Sequence, residues 1–371
     1  MTSALQFAAQ QIRHSIQSAT SGLVGREQLA ELLILAAVAQ EHLLVVGPPG
    51  TGKSAVVRRV AQTLGGRYFE YLLGRFTEPS ELFGPVDLKK LREGTVETDI
   101  TGMLPEADIV FLDEVFLGST AILNTLLGVL NERKFRRGHT QVQCPLRVCV
   151  GAANGLPDDE ALAAFGDRFL IHLFIDALPD HQLEAMLAGG WRSDNTPVPS
   201  EASLAHLDTL SQAMRTVDLS AVQPVLASAI RRLRAAGIQL SDRRIVKSQR
   251  LIAAAAVLAG RSSASAADLW PLLYVLATRD AQHSAREVLR EELAAASHPN
   301  LLSAVETATL QPLSRATRLQ AQAEALLADE SGATEIEALL REIDANFSGD
   351  NLPEALAAPR TRLAQRLQAL V

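Results

Sequence analysis

The chain has 371 residues, of which 47% are apolar, 21% charged and 4% aromatic. That length exceeds one ordinary domain, and the composition excludes a disordered, collagenous or fibrous chain, leaving a folded protein of two or three domains. Its 35 basic and 42 acidic residues give a net charge of -7, which excludes a general nucleic-acid coat, because such a coat needs a positive field over much of its surface.

Residues 1–20 hold no apolar run flanked by basic residues, so no leader peptide is expected. The longest apolar stretches, such as 251–259, are too short to cross a bilayer. The protein is expected to be cytoplasmic, with no membrane insertion. Helices are predicted over 26–40, 52–64, 120–131, 159–165 and 181–187, and strands over 42–46, 67–72, 108–112, 146–152 and 169–173. Short β-rich runs alternating with helical patterns are the signature of a parallel sheet with helices on both faces. Cys144 and Cys149 lie five apart in what reads as one strand, which sends them to opposite faces as unpaired thiols of a reducing compartment.

Residues 189–200, GGWRSDNTPVPS, gather Gly, Pro, Asn and Ser and are the predicted linker. From 203 to 278 the apolar residues recur at helical spacing, as in Leu204, Leu207, Leu210 and Met214, which predicts a small all-α domain. From 281 the helices continue, broken at Pro299, Pro312, Gly332, Gly349 and Pro359. Residues 285–371 hold 13 acids and 8 arginines, so most of the net charge sits in this tail. Its last stripe, Leu363, Leu367 and Leu370, needs a partner surface. The expected division is 1–195, 196–280 and 281–371.

Gly47-Pro48-Pro49-Gly50-Thr51-Gly52-Lys53-Ser54 follows an apolar strand and opens an amphipathic helix, the setting in which G-x-x-x-x-G-K-[ST] binds phosphate. The glycines let backbone N–H groups turn inward around phosphate oxygens, and the helix start adds its positive end. Lys53, one of few lysines in the chain, would reach the β- and γ-phosphates, and the Ser54 hydroxyl would ligate Mg²⁺. Ile109-Val110-Phe111-Leu112-Asp113-Glu114 is a second motif, an apolar strand ending in two carboxylates. Like charges at one tip are costly unless a cation is met there. Asp113 suits the Mg²⁺ shell, and Glu114 suits orienting and polarising the attacking water.

GPPGTGKS with IVFLDE resembles the AAA+ ATPases. The segments RFTEPSELFGP (75–85), LPEA (104–107), AILNTLL (121–127) and NER (131–133) resemble the MoxR family, and its RavA-type members in particular, over about 23–250. The resemblance implies an α/β fold: an AAA+ P-loop NTPase core with a parallel sheet in an αβα sandwich, an all-α lid domain and a helical C-terminal extension. It places Asn154 where the family has the sensor asparagine that helps position water; an Asn stabilising a turn is the alternative. Arg168 matches the arginine finger that reaches a neighbouring subunit's γ-phosphate, against a plain surface ion pair. Arg243 occupies the second-sensor position, although Asp242 replaces the usual Pro and Arg244 next door leaves the choice of arginine open. Leu23 and Val24, with Gly25, resemble the segment lining the adenine pocket.

In the resembling family, residues 83–104 form a β-hairpin insertion in the second helix, projecting toward a pore. A second hairpin at 132–147 carries Arg133, Lys134, Arg136, Arg137 and Arg147 against one acid, a patch suited to DNA, to an acidic peptide or to a neighbouring subunit. It lacks an aromatic stacking platform apart from Phe135. The acidic tail is expected either to buttress the lid or to serve as a docking arm. The implied function is Mg²⁺-dependent ATP hydrolysis at the junctions of a homo-oligomeric, hexameric ring. That hydrolysis would drive chaperone-like remodelling, or cofactor or metal loading, of a partner such as a von Willebrand factor A domain protein. Nucleic acid is not the expected partner. The competing functions are an AAA+ motor or loader on nucleic acid and a nucleotide-gated binding switch with little turnover.

Overall fold

In the computed structural model, which describes residues 2–193, 202–310, 312–328, 333–347 and 352–370, the apolar runs of the first half form one sheet. Helix α1 (Thr2–Thr20) and α2 (Glu27–Ala39) lead into β1 (Leu43–Val46) and, across the glycine-rich loop, α3 (Lys53–Leu64). Next come β2 (Tyr68–Leu72), the one-turn helices α4 (Pro79–Phe83) and α5 (Leu88–Arg92), β3 (Ile109–Asp113) and α6 (Thr120–Glu132). A hairpin of β4 (Lys134–Arg137) and β5 (Thr140–Gln143) precedes β6 (Val148–Ala153), α7 (Glu160–Gly166), β7 (Ile171–Phe174) and α8 (Leu183–Ser193). Then come α9 (Leu204–Met214), α10 (Gln223–Ala235), α11 (Asp242–Leu258), a 3₁₀ segment (Trp270–Val275), α12 (Arg279–Val288) and α13 (Leu302–Thr309). The chain ends in α14 (Pro312–Ala328), α15 (Ala333–Asn346) and α16 (Glu354–Leu370).

The five-stranded sheet has the order β2-β3-β6-β1-β7. All of its pairings are parallel, with Leu43 of β1 opposite Val150 and Ile171. Strands β1, β3 and β6 are near-continuous apolar runs because both faces are covered. Leu43, Val45, Ile109, Phe111, Val148 and Val150 face a core shared with α1, α2 and α3. Leu44, Val46, Val110, Leu112 and Cys149 face the opposite core with α4, α6 and α7. Parallel pairing gathers all the C-terminal strand ends along one edge, where ligands bind in open α/β sheets.

No element was expected over residues 1–20, yet α1 buries Leu5, Ala8, Ile12, Ile16 and Ala19 at three- and four-residue steps and packs on α3 and α9. Helix α2 is buried almost throughout, lying between the sheet and α9, α11 and α13. Helix α11 is fastened to the opposite, N-terminal edge of the sheet. There the buried Glu41 carboxylate, just before β1, accepts from Lys247 (2.5 Å) and Arg250 (2.9 Å). The buried residues of α12 and α13 belong to the same core as α2, whereas α14, α15 and α16 close around a separate cluster that includes Leu319, Ile336, Ile343 and Leu363. That cluster covers Leu363 and, in part, Leu367 of the expected stripe, while the Leu370 side chain lies outside the described residues.

Three expectations change. The predicted linker begins as helix, since α8 runs on to Ser193, and the rest of it lies outside the described residues. Residues 83–104 make only one antiparallel bridge, Val86 to Thr98, and their tip is the helix α5. The Asp87 carboxylate accepts from the backbone N–H of Lys89 (2.8 Å) and Lys90 (3.3 Å), an N-cap that favours a helical turn over a strand. Cys144 and Cys149 are not on one strand: Pro145 interrupts the ladder, and both free thiols are buried in the same core. No described helix is long and apolar enough to cross a membrane.

Candidate nucleotide site

The glycine-rich loop joins the end of β1 to the start of α3. Gly50 (φ 75°) and Gly52 (φ 77°) take left-handed conformations that a side chain would disfavour. Gly47 runs so close to the Ile175 carbonyl that an added Cβ would collide with it. The loop is closed on itself: the Thr51 hydroxyl donates to Pro48 O (3.0 Å), and the Lys53 ammonium donates to Gly47 O (2.7 Å) and Pro48 O (3.0 Å). Burial pushes the Lys53 ammonium down from its ordinary value, while the nearby Asp113 and Glu114 charges pull it back up. The second motif therefore sits beside the first, across the tips of β1 and β3.

Asp113 ends β3 and accepts from the Glu114 backbone N–H (3.0 Å). Glu114 itself has φ 50° and ψ 46°, a left-handed backbone that costs energy in a residue with a Cβ. The twist turns its carboxylate toward Asn154, whose side-chain amide donates to Glu114 Oε1. Lys53, Asp113, Glu114 and Asn154, drawn from three separate strand ends, thus converge on one spot. Ser54 lies beside Lys53 in the first turn of α3. Two carboxylates share this spot with one ammonium, two of whose three hydrogens go to loop carbonyls, so carboxylate oxygens are left to offer a divalent cation. Ser54 and Asp113 are the groups that would hold it. Among the described residues no group of three or more His, Cys, Asp or Glu side chains is placed to hold a metal ion.

A cavity of about 380 Å³ opens beside these residues, walled by Val46, Gly47, Pro48, Asn154, Asp176 and Arg279 among others. The segment holding Leu23 and Val24 borders the same loop. The buried Arg26 donates from Nε to Thr51 O (2.6 Å) and from its terminal nitrogens to Gly25 O (2.8 Å) and Asp176 O (3.4 Å). Gly25 in turn faces the Leu178 and Gln182 side chains. Arg26, Asp176 and Arg279 carry no motif that the sequence alone exposes.

No described hydrogen bond or ion pair joins Arg168 or Arg243 to this spot. Arg168 follows α7, and its half-buried side chain leaves Nε without a hydrogen-bond partner. Arg243 bonds Asn131 Oδ1 (3.0 Å) and Asp167 Oδ2 (3.5 Å). Asn131 lies about 16 Å along α6 from the end near Glu114, at a rise of 1.5 Å per residue. The second-sensor position therefore does not face its own chain's phosphate loop. Arg244 is buried, bonding Asp167 Oδ1 (2.6 Å) and the carbonyls of Phe169 (2.8 Å), Leu170 (3.3 Å) and Val275. It is a structural clamp, and Arg243 is the more exposed of the two.

The basic hairpin is also largely consumed within the chain. Arg133 donates to Leu130 O and Gln40 O, Arg136 pairs with Glu132, and Arg137 donates to Gly84 O. Arg147 pairs with Asp108 and Asp208. Arg133, Arg137 and Arg147 thus bond within the chain, whereas Arg136 stays exposed in its pair with Glu132, so the local positive count overstates the free charge of the hairpin.

A family profile described as the MoxR domain in MoxR-vWA-beta-propeller ternary systems matches residues 10–213. The chain belongs to the MoxR family of AAA+ ATPases. An AAA lid domain profile matches residues 225–288. An uncharacterized protein of Methanocaldococcus jannaschii is 33% identical over 252 residues, covering 67% of this chain and 66% of its own. The chain so spans just under two thirds of that relative's length. A chaperone named MoxR1 from Mycobacterium tuberculosis is 24% identical, over 51% of this chain and 49% of its own. A candidate ATPase of Cytophaga hutchinsonii, solved by crystallography, superposes with a TM-score of 0.63 at 17% identity, covering 80% of this chain and 97% of that one. It supports the fold alone. The matched description names MoxR-vWA-beta-propeller systems and not the RavA-type branch.

Proposed function

We propose that the protein hydrolyses ATP with Mg²⁺ at the junctions of a homo-oligomeric ring, which the family resemblance suggests is hexameric, and uses the motion to remodel a partner protein. The observation that carries this reading is the convergence of Lys53, Asp113, Glu114 and Asn154. The backbone N–H groups of residues 47–54 would cradle the phosphates, and Lys53 would exchange two loop carbonyls for phosphate oxygens. Glu114 would leave Asn154 to accept a proton from the attacking water, with Asn154 orienting that water. When bound between Ser54 and Asp113, Mg²⁺ supplies neutralisation of phosphate charge.

The placement of Arg168 and Arg243 supports a role in trans. Arg243 is held by Asp167 and Asn131 and Arg168 follows Asp167 in the chain, with no described bond from either to its own phosphate loop, so each would act on a neighbour's nucleotide. A partner containing a von Willebrand factor A domain is favoured by the ternary systems named in the matched family description, and cofactor or metal loading of that partner is the wider task the resemblance implies. We also place the start of the tail near residue 312, because α12 and α13 share the core of α2.

The test is ATP turnover with and without Mg²⁺ in the wild type and in Glu114→Gln. The variant should bind ATP normally and lose about a hundredfold or more in hydrolysis. Unchanged turnover in Glu114→Gln removes Glu114 from its role.

A further inference from the structure

Arg279 opens α12 and lines the same cavity as Gly47 and Pro48 of the phosphate loop. Its guanidinium makes two 2.8 Å bonds to the Asp176 carboxylate and stands 5.5 Å over the Phe174 ring. The two side chains are 53% and 71% exposed, so solvent screens the pair and it is easily exchanged. Arg279 in turn holds the Asp176 carboxyl below the usual carboxylate range. The acceptor is not isolated: the Asp176 carbonyl is bonded by Arg26, which also holds Thr51 O in the phosphate loop. Asn154, bonded to Glu114, lines the same cavity. The cavity therefore adjoins the end of the loop where hydrolysis would occur.

We infer that Arg279 is a nucleotide-contacting residue of its own chain, exchanging the Asp176 carboxylate for the terminal phosphate of ATP. A terminal phosphate carries more charge than a carboxylate and accepts the guanidinium fork equally well, so it outcompetes a screened surface partner. ADP lacks that phosphate and leaves Arg279 on Asp176. The exchange draws the first turn of α12 toward the phosphate loop. Because α12 packs on α10 and on the Trp270–Val275 segment, the helical part registers whether ATP or ADP is bound. This inference rests on the nucleotide-site reading above, and it supplies a same-chain contact that Arg243 is too far away to make.

The experiment is equilibrium titration of the full chain with ATPγS and with ADP, each competing against a fluorescent ADP analogue. The proteins are wild type, Arg279→Ala, Arg279→Lys, Asp176→Ala and Lys53→Ala. Arg279→Ala should weaken ATPγS about ten- to a hundredfold, the range for a lost charged hydrogen bond, and change ADP by less than about threefold. Arg279→Lys, which keeps the charge without the fork, should fall between. Asp176→Ala frees Arg279 and should leave ATPγS affinity equal to or tighter than wild type. If Arg279→Ala and Asp176→Ala weaken both nucleotides alike, the pair is only a scaffold and the inference is wrong. Lys53→Ala separates the two layers: wild-type binding in that variant would sink the nucleotide site itself, whereas lost binding there with unaltered ATPγS affinity in Arg279→Ala would sink only the role of Arg279.

Discussion

Removing the Asp167 carboxylate should loosen the joint between the helical part and the sheet. Asp167 is the anionic partner of the buried Arg244, at 2.6 Å, and it also bonds Arg243. Arg244 is 4% exposed, and burial already pushes its guanidinium down from its ordinary value, with Asp167 acting in the opposite direction. In Asp167→Ala the cation keeps its bonds to the Phe169, Leu170 and Val275 carbonyls but has no counter-charge. Breaking a buried pair from one side costs roughly 3–5 kcal/mol. The surviving carbonyl bonds and the partial exposure of Asp167 place this case at the low end, about 3 kcal/mol. Urea unfolding followed by the fluorescence of the buried Trp270, which shares a core with α11, should show it. With a slope of about 3 kcal/mol per molar, the midpoint falls by about 1 M. Asp167→Asn, which keeps one acceptor, should lose less. A shift below about 0.3 M in Asp167→Ala would mean that Arg244 needs no counter-charge, and the account of this joint would be wrong.

Two further predictions concern buried ionisable groups. Glu31 accepts from the backbone N–H of Ser303 (3.2 Å) and Ala304 (2.7 Å), yet burial outweighs these bonds and pushes its carboxyl up to about 8. The folded chain thus keeps a proton that the unfolded chain loses near its ordinary pKa of 4.5. Stability from this group is present at low pH and falls as pH rises toward 8, by up to about 1.4 kcal/mol per pH unit. Between pH 5.5 and 8 the wild type should lose more stability than Glu31→Gln in urea unfolding, and equal losses would refute the assignment. Burial likewise raises the thiols of Cys144 to about 11 and Cys149 to about 12. Neither should react with an aromatic disulfide reagent at pH 8 until denaturant is added, and rapid labelling of the folded chain would contradict their burial.

The sheet and its site were legible because their signals are local. Continuous apolar runs such as LLVV and IVFLD mark strands covered on both faces, and the loop that needs Gly50 and Gly52 in left-handed conformations spells itself out in sequence. Helix α1 carries an equally clear apolar stripe, Leu5, Ala8, Ile12, Ile16 and Ala19, at helical steps. What stayed hidden was long-range pairing. Residues 132–147 are basic in sequence, and nothing local shows that Arg147 is neutralised by Asp208, which lies 61 residues away. Arg243 sits in a recognisable motif, but its distance from the phosphate loop follows from how α11 docks on the far edge of the sheet through Glu41. Arg279 lies more than a hundred residues beyond the nearest motif residue of the cavity, Asn154. Only the folded chain brings them together.

Mixing inactive variants tests most directly whether ATP is hydrolysed between subunits. Lys53→Ala removes a chain's own phosphate grip, and Arg168→Ala removes the arginine it offers to a neighbour. Each variant alone should have little ATPase activity. Mixed in varying ratios, they should recover activity that peaks at intermediate composition, because some junctions then join an intact Lys53 to an intact Arg168. Activity that stays at the baseline of the single variants across every ratio, while the chains still co-assemble, would contradict a site shared between subunits.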